Sequence, residues 1–325
     1  CKQLKTLLEN NYPASQLKPE TGATTTKFLS LEAFRGLAAV MIVLYHSRFY
    51  STDDYVPFVK HSHIFVDFFF ILSGFVMAYS YLGRIGSNMT LKRFFLMRFG
   101  RLYPLHLFTL LLWVPFIIVK VIFYEKGIGG TDPSESNNLF TVFSNLFLVQ
   151  AFDGYQPLSW NFPSWSISAE FYTYIIFFLI IYLTTKALSS RATLISCIVF
   201  ITVAAYASIW WLDGKGVELF FLQCIGGFFL GILIFFIYKR ANIQALDFRA
   251  ATILEITVLT FMVYSVIRNQ RQGFSDNIFF YICIVSFLCV IYVFVIQETG
   301  YISRLLKNSI FLSIGKVSYS IYIVH

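Results

Sequence analysis

The sequence predicts an all-α integral membrane protein, a polytopic bundle of about nine transmembrane helices. Hydrophobic residues make up 57% of the 325 positions and charged residues only 13%. So few polar side chains cannot cover the water-facing surface of a soluble domain. The apolar residues also form runs close to the roughly 20 residues that cross about 30 Å of hydrocarbon. Together these observations indicate a protein that uses the bilayer as its solvent.

The apolar runs predict the individual spans. The apolar segment 140–152 is too short to cross the bilayer comfortably, and we expect it to lie at the membrane interface or to form a re-entrant segment. The polar residues 1–28 predict a cytoplasmic N-terminal segment, followed by a transmembrane domain over 29–325. A chain that starts with Cys1 and ends inside an apolar run also predicts a fragment of a longer protein, truncated at its C-terminus. The predicted spans are 29–48, 63–82, 102–124, 166–184, 193–211, 218–238, 251–267, 277–297 and one beginning at 309.

The positions of lysine and arginine predict the orientation of these spans. If the N-terminus is cytoplasmic, sixteen basic residues fall on the cytoplasmic side and six on the opposite side. This excess follows the positive-inside rule. The sequence therefore predicts a multi-pass protein of the cell membrane, surrounded by its lipids, with a cytoplasmic N-terminus. The net charge of +8 needs no nucleic-acid partner, because the basic residues lie between apolar runs.

Small residues predict close packing between helices, and the cysteines show no pattern of a disulfide or metal site. Ser73–Gly74 and Gly226–Gly227 lie inside predicted spans, where small residues let helices approach closely. The five cysteines contain no CxxC pair, and no metal-binding pattern is present. The sequence therefore predicts neither a disulfide framework nor a metal site.

Arg35 and His46 are ionisable residues on the first predicted helix. Charged groups are costly in a bilayer, about 2.5–3.5 kcal/mol on insertion scales, and usually face a cavity. The two residues lie eleven positions apart, so at about 100° per residue they share one helix face, roughly 16 Å apart. This placement predicts one cavity that both side chains line. The alternative is an arginine that reaches the headgroups and a histidine satisfied by a neighbouring helix.

Asp67 lies near the start of the second span, about twenty residues after His46. A hairpin of the first two spans brings both residues to the same side of the membrane. A carboxylate beside an imidazole fixes its tautomer and raises its basicity. The spacing thus predicts that Asp67 orients His46. The alternative is an ordinary carboxylate at a helix start, which the helix dipole favours.

Arg98 and Arg101 lead into the third span and lie three residues apart, which places them on one helix face. Guanidinium groups bind phosphate through paired hydrogen bonds. The pair therefore suits a phosphate-rich donor such as coenzyme A. The alternative is that both residues only satisfy the positive-inside rule.

Glu170 lies near the entry to the fourth span, just after Trp165, Ser166 and Ser168. A carboxylate in this position can orient a substrate hydroxyl or balance a buried arginine. The alternative is a helix cap beside an aromatic residue of the membrane interface.

Five motifs together resemble the membrane-bound acyltransferase-3 family, whose members are O-acyltransferases of surface and capsular polysaccharides. The resemblance runs from about residue 29 to the end. One departure is Glu32–Ala33, where the family usually carries Asp-Gly. A second is length, because the family typically has ten spans and this chain is predicted to contain about nine. The motifs, in chain order, are LEAFRGLAAVMIVLYHS, VDFFFILSGFVMAYS, RFFLMRFGRLYPLH, PSWSISAEFY and IGKVSYSIYIVH.

The resemblance implies roles for individual residues. His46 is implied as a general base or a transient acyl carrier, and the sequence leaves both open. The implied catalytic residues are His46, Asp67 and Glu170; the donor-binding residues are Arg35, Arg98 and Arg101; the residues that support the substrate site are Ser73, Trp165, Ser166 and Ser168.

The resemblance also implies the reaction. An acyl group, most often acetyl, passes from acyl-CoA to a hydroxyl of a surface or lipid-linked carbohydrate, without a metal. A transporter of an anionic or sugar substrate is the alternative, since transporters also carry charges within the membrane. A structural scaffold does not explain why Arg35 and His46 share a face.

Overall fold

A computed structural model describes residues 28–47, 56–128, 130–152, 159–187, 190–215, 219–241, 246–269, 274 and 277–325. Within these residues the chain is almost entirely helical, with one isolated bridge between Ile85 and Met89 and no strand. Eight of the described helical segments are long and apolar enough to cross a membrane. The prediction of an all-helical, polytopic membrane protein is therefore confirmed. The predicted N-terminal segment lies outside the described residues, apart from Phe28.

The described α-helices follow one another along the chain with short connections. In chain order they are α1 (Leu29–Ser47), α2 (Pro57–Lys60), α3 (Phe65–Tyr81), α4 (Leu91–Glu125), α5 (Pro133–Ser136), α6 (Leu139–Leu146), α7 (Ser164–Ala187), α8 (Arg191–Leu212), α9 (Phe220–Arg240), α10 (Phe248–Arg268), α11 (Ile278–Ile296), α12 (Tyr301–Leu306), α13 (Ser309–Lys316) and α14 (Ser318–Val324).

Helix α4 begins eleven residues before the predicted span. The Thr90 hydroxyl caps it by accepting a hydrogen bond from the Arg93 backbone N–H at 3.3 Å. With 35 residues, α4 is about 52 Å long, well beyond the roughly 30 Å of a hydrocarbon core. Arg98 and Arg101 consequently lie two to three turns inside a helix, where neighbouring helices can surround them.

The ninth predicted span is not one helix. Residues from 309 onward form α13 and α14, which are separated at Val317 by a backbone with ψ of 8°. The predicted span from 309 is therefore interrupted at Val317 and is not one continuous helix. Residues 140–152 form the end of α6 and a 3₁₀ turn at Gln150–Phe152 and, as predicted, do not form a span.

Glycines bring the helices of the bundle into backbone contact. A Cβ atom on Gly74 of α3 would lie 1.8 Å from the Phe228 carbonyl oxygen of α9. A Cβ atom on Gly231 of α9 would lie 1.9 Å from the Ile71 carbonyl oxygen of α3. Only glycine permits this separation. The close approach predicted at Gly74 is thus confirmed, and it fixes the position of the adjacent Ser73.

A second glycine contact joins α1 to α13. A Cβ atom on Gly36 would lie 2.7 Å from the Gly315 backbone nitrogen, and one on Gly315 would lie 2.3 Å from the Glu32 carbonyl oxygen. The contact presses the end of α13 against the first turns of α1. The chain then turns into α14 beside Arg35.

A buried polar network holds the segment between α4 and α7 onto the bundle. The His106 ring of α4 donates from Nε2 to the Asn145 carbonyl at 2.9 Å. The Asn145 amide donates to the Ser159 hydroxyl at 3.1 Å and accepts from the Ser164 hydroxyl at 3.1 Å. Because buried polar groups are costly unless they are hydrogen-bonded, this network places the start of α7 accurately.

Candidate active site

A cavity lies between α1, α3, α4, α7 and α14. The space inside it is about 820 Å³, including the part that is open to solvent. Six of the residues predicted from the sequence line it, from four different helices. They are Arg35, Ser73, Arg98, Arg101, Ser166 and Glu170.

Arg35 is held at the break between α13 and α14. Its guanidinium donates to the Ser318 hydroxyl at 3.2 and 3.3 Å and to the Gly315 carbonyl at 3.5 Å. Its remaining contact is an ion pair with Glu32, one turn earlier on α1, at 3.4 Å. The side chain is 22% exposed. Arg35 therefore faces neighbouring helices and the cavity, and the alternative of an arginine that reaches the headgroups does not apply.

Arg98 is a buried cation surrounded by aromatic rings. Its guanidinium donates to the Tyr81 hydroxyl and lies 4.8 Å from the centre of the Tyr81 ring and 5.7 Å from that of Tyr174. Its Nε has no hydrogen-bond partner. Within the described part of the chain no carboxylate forms an ion pair with it. Aromatic faces stabilise a cation without neutralising it, so the positive charge of Arg98 remains available to an anion.

Arg101 lines the same cavity one turn further along α4, but its side chain is exposed. It also forms no ion pair with any described residue. The two arginines therefore share one face of α4, as their spacing predicts. They differ in burial, so salt should screen the charge of Arg101 more strongly than that of Arg98.

Glu170 provides the carboxylate of the cavity. Its Oε1 accepts hydrogen bonds from the Ser73 hydroxyl at 2.5 Å and from the Tyr174 hydroxyl. The bond from Ser73 joins α3 to α7, and the bond from Tyr174 lies within α7. Among its lining residues the cavity therefore contains three guanidinium groups and one carboxylate, a net positive charge that favours an anionic ligand.

The geometry of His46 identifies its tautomer. Nδ1 lies 3.0 Å from the Ile42 carbonyl oxygen and 3.1 Å from Nε2 of His325. A carbonyl oxygen can only accept, so Nδ1 carries the hydrogen, and the basic nitrogen of the neutral ring is Nε2. The ring packs edge-on against Phe162, with centroids 5.4 Å apart. This tautomer is the one that a general base needs when it takes a proton at Nε2.

Asp67 does not orient His46, and that prediction is wrong. The Asp67 side chain is 6% exposed, and its Oδ1 has no hydrogen-bond partner. Val66 and Ser73, seven residues apart, line the cavity on one face of α3, and Asp67 lies about 100° away from that face. The rotation of α3 therefore points Asp67 away from the cavity.

His46 does not line the cavity that contains Arg35, so the prediction of one shared cavity is also wrong. Tyr322 of α14 lines the cavity, and its ring centre is 5.6 Å from that of His325, which in turn contacts His46. The Tyr322 hydroxyl lies 2.8 Å from the Ser166 hydroxyl. Tyr322 was not identified from the sequence, although the motif SYSIYIVH that contains it was.

Trp165 and Ser168 have structural contacts outside the cavity lining. Trp165 stacks on Phe220 with ring centres 4.3 Å apart. The Ser168 hydroxyl donates to the Leu148 carbonyl at 2.5 Å and accepts from the Ala151 N–H at 3.2 Å. Both side chains fix α7 in the bundle, whereas Ser166 and Glu170 on the same helix face the cavity.

Comparison with known proteins identifies the family. A family model described as an acyltransferase domain matches residues 28–325, nearly the whole chain. The chain belongs to the acyltransferase-3 family. Membership agrees with the helical membrane architecture and confirms the resemblance seen in the five motifs. No solved structure matches the chain.

Several curated proteins are similar to parts of the chain. Protein 2 in the picA locus of Rhizobium radiobacter is 38% identical over 106 residues, which cover 32% of this chain and 50% of that protein. Acyltransferase MdmB of Streptomyces mycarofaciens is 31% identical over 160 residues, which cover 46% of this chain and 38% of that protein. Peptidoglycan O-acetyltransferase OatA of Listeria monocytogenes is 28% identical over 162 residues, which cover 47% of this chain and 24% of that protein. The aligned region thus spans at most half the length of these relatives.

Proposed function

We propose that this acyltransferase-3 family member transfers an acyl group from acyl-CoA to a hydroxyl of a carbohydrate. The observation that carries the proposal is the convergence of Arg35, Arg98 and Arg101 on one cavity inside the bundle. A guanidinium as buried as that of Arg98 needs a functional reason, because buried charge is costly. The name of the Listeria relative, a peptidoglycan O-acetyltransferase, supports acetyl as the acyl group and a surface carbohydrate, free or lipid-linked, as the acceptor.

The cavity suits a coenzyme A thioester in two respects. Arg98 and Arg101 have no carboxylate partner among the described residues, so both can bind phosphate oxygens through charge-assisted hydrogen bonds. The rest of the lining is largely apolar, with Phe69, Val76 and Met77 among its side chains. An apolar channel accommodates the uncharged arm that links the phosphates of the donor to its thioester.

His46 is the proposed general base. As the acceptor oxygen attacks the thioester carbonyl carbon, Nε2 of His46 takes the hydroxyl proton. The carbon–sulfur bond then breaks, and the thiolate leaves with its electron pair and receives that proton from the imidazolium. Because His46 does not line the cavity in this structure, side chains at this end of the cavity must move before the thioester reaches His46. Glu170 holds the Ser73 and Tyr174 hydroxyls beside the donor path.

We further propose that the protein resides in the cell membrane with a cytoplasmic N-terminus. The support is the excess of basic residues on one side of the predicted topology. In this orientation the start of α4, with Arg98 and Arg101, lies toward the cytoplasm, where acyl-CoA is made. The C-terminal end of α1, with His46, lies toward the outer surface. The donor and the acceptor then approach from opposite sides.

Release of free thiol tests the proposal directly. Purified protein in lipid nanodiscs receives acetyl-CoA and an oligosaccharide of the surface polymer, and coenzyme A is measured with a thiol reagent. We expect acceptor-dependent release that His46→Ala abolishes, together with a 42 Da mass increase of the oligosaccharide per acetyl group (the added C₂H₂O). Movement of the sugar across a sealed membrane without thiol release would instead support the transporter and refute the enzyme.

A further inference from the structure

We propose that His325 is the positioning residue for His46, accepting the hydrogen on His46 Nδ1 in the place that Asp67 was expected to fill. This inference rests on the proposed function. Nε2 of His325 lies 3.1 Å from Nδ1 of His46, and the two ring centres are 5.0 Å apart at an interplanar angle of 37°. This is a direct contact between imidazoles from opposite ends of the described chain.

The direction of the hydrogen bond follows from the contact of His46 with the Ile42 carbonyl. Nδ1 of His46 faces this carbonyl at 3.0 Å and therefore carries the hydrogen, and the single N–H is shared between the carbonyl and His325. Nε2 of His325 is therefore the acceptor, and the hydrogen of the neutral His325 ring lies on its Nδ1. That Nδ1 is buried, and the backbone of Ile321 and Tyr322 also interacts with the His325 ring. The two contacts together hold the His46 ring with Nε2 as its basic nitrogen.

The second imidazole adds something that the Ile42 carbonyl cannot. When His46 takes the proton of the acceptor hydroxyl, its Nδ1–H becomes a stronger donor, and an imidazole acceptor stabilises the resulting cation. A neutral partner does so without placing a permanent negative charge in the membrane. Other groups near the pair are the rings of Tyr45, which contacts His46 and His63, and of Tyr322, which contacts His325.

Helix α14 explains how His325 is placed. Ser318, Tyr322 and His325 are spaced by four and three residues, so they lie along one side of this short helix and its end. Ser318 contacts Arg35, Tyr322 lines the cavity, and His325 contacts His46. The Asn161 amide fixes this end of α14 by donating to the Ile323 carbonyl at 2.9 Å. One helix therefore links the donor-binding arginines to the proposed base.

The test compares three variants of the full chain. His325→Phe keeps an aromatic ring but removes the acceptor, whereas His325→Gln restores an acceptor oxygen at a similar reach. His61→Gln is the matched control, since His61 contacts the Ile267 carbonyl and lies away from the cavity. For each protein we would measure kcat, the KM for acetyl-CoA, the pH profile of kcat and the thermal unfolding midpoint.

We expect His325→Phe to lower kcat about 10- to 100-fold, the usual effect of removing an orienting partner, with the KM for acetyl-CoA unchanged. The acidic limb of its pH profile should move to lower pH, because the His46 imidazolium loses its acceptor. His325→Gln should recover most of kcat, and His61→Gln should match the wild type.

Two outcomes would overturn the inference while leaving the proposed function intact. In the first, wild type is active and His46→Ala is inactive, but His325→Phe retains full kcat. In the second, His325→Phe and His325→Gln lose activity equally, with unchanged pH profiles and lowered unfolding midpoints, which would assign His325 to packing alone. A wild-type protein that releases no coenzyme A would overturn both the proposed function and this inference.

Discussion

Arg98→Ala should weaken binding of the donor far more than binding of the acceptor. Arg98 is buried, its guanidinium contacts Tyr81 and Tyr174, and no described carboxylate forms an ion pair with it. A charge-assisted hydrogen bond contributes about 1.5–3 kcal/mol, and every 1.4 kcal/mol corresponds to a tenfold change in affinity. Losing one such bond to phosphate should therefore raise the Kd for acetyl-CoA by about 10- to 150-fold.

A truncated donor isolates the phosphate contribution. Binding of acetyl-CoA and of acetyl-pantetheine, which lacks the phosphates, is measured by calorimetry for wild type, Arg98→Ala and Arg101→Ala. The penalty should appear with acetyl-CoA and vanish with acetyl-pantetheine, as in a double-mutant cycle. The Arg101→Ala penalty should shrink more at high salt, because Arg101 is exposed.

Two controls separate this effect from damage to the fold. Tyr81→Phe removes only the hydrogen bond to Arg98 and should leave the donor Kd within about threefold, since a neutral hydrogen bond contributes about 1 kcal/mol or less. Lys92→Ala removes an exposed cation at the start of the same helix and should have no effect. If Arg98→Ala weakens both donors equally, or weakens neither, the assignment of Arg98 to phosphate is refuted.

The remaining predictions concern the proposed base and two structural contacts. His46→Ala should lower kcat by about 10²- to 10⁴-fold with the acetyl-CoA Kd unchanged, because His46 lies outside the cavity; calorimetry showing lost donor binding would contradict this. Gly74→Ala should lower the unfolding free energy in detergent by at least about 1–3 kcal/mol, since its Cβ would lie 1.8 Å from the Phe228 carbonyl oxygen; an unchanged midpoint would show that α3 and α9 can separate. Glu255→Gln should cost about 1.5–3 kcal/mol, because the buried carboxylate accepts three hydrogen bonds from α12. Glu298 is partly exposed and forms one ion pair, so Glu298→Gln should lower the unfolding free energy by less than about 1 kcal/mol. Equal losses of unfolding free energy in the Glu255 and Glu298 variants would refute this comparison.

Hydrophobicity and helical periodicity predicted much of this architecture. Eight of the nine predicted spans correspond to long described helices. The spacing of Arg98 and Arg101 correctly placed both side chains on one cavity. Such features depend on local sequence, because the bilayer sets the length of a span and the helix sets which residues share a face.

The features that the sequence did not predict depend on contacts between distant segments. The direction of Asp67 depends on the rotation of α3, which its glycine contact with α9 determines. The break at Val317 lies inside an apolar run that reads as one span. The contact between His325 and His46 exists only because α14 packs against α1. Periodicity within one helix contains no information about which neighbour each face meets.

The glycine contact between α3 and α9 has a consequence for the range of acyl groups that the protein accepts. With the two backbones touching at Gly74 and Gly231, the wall that carries Ser73 cannot retreat to admit a bulkier substrate. Helix α14 also lines the cavity, and side-chain bonds such as Ser166–Tyr322 connect it to α7. Selectivity for acyl chain length should therefore be encoded on α14, and exchanging residues there should retune it without rebuilding the bundle.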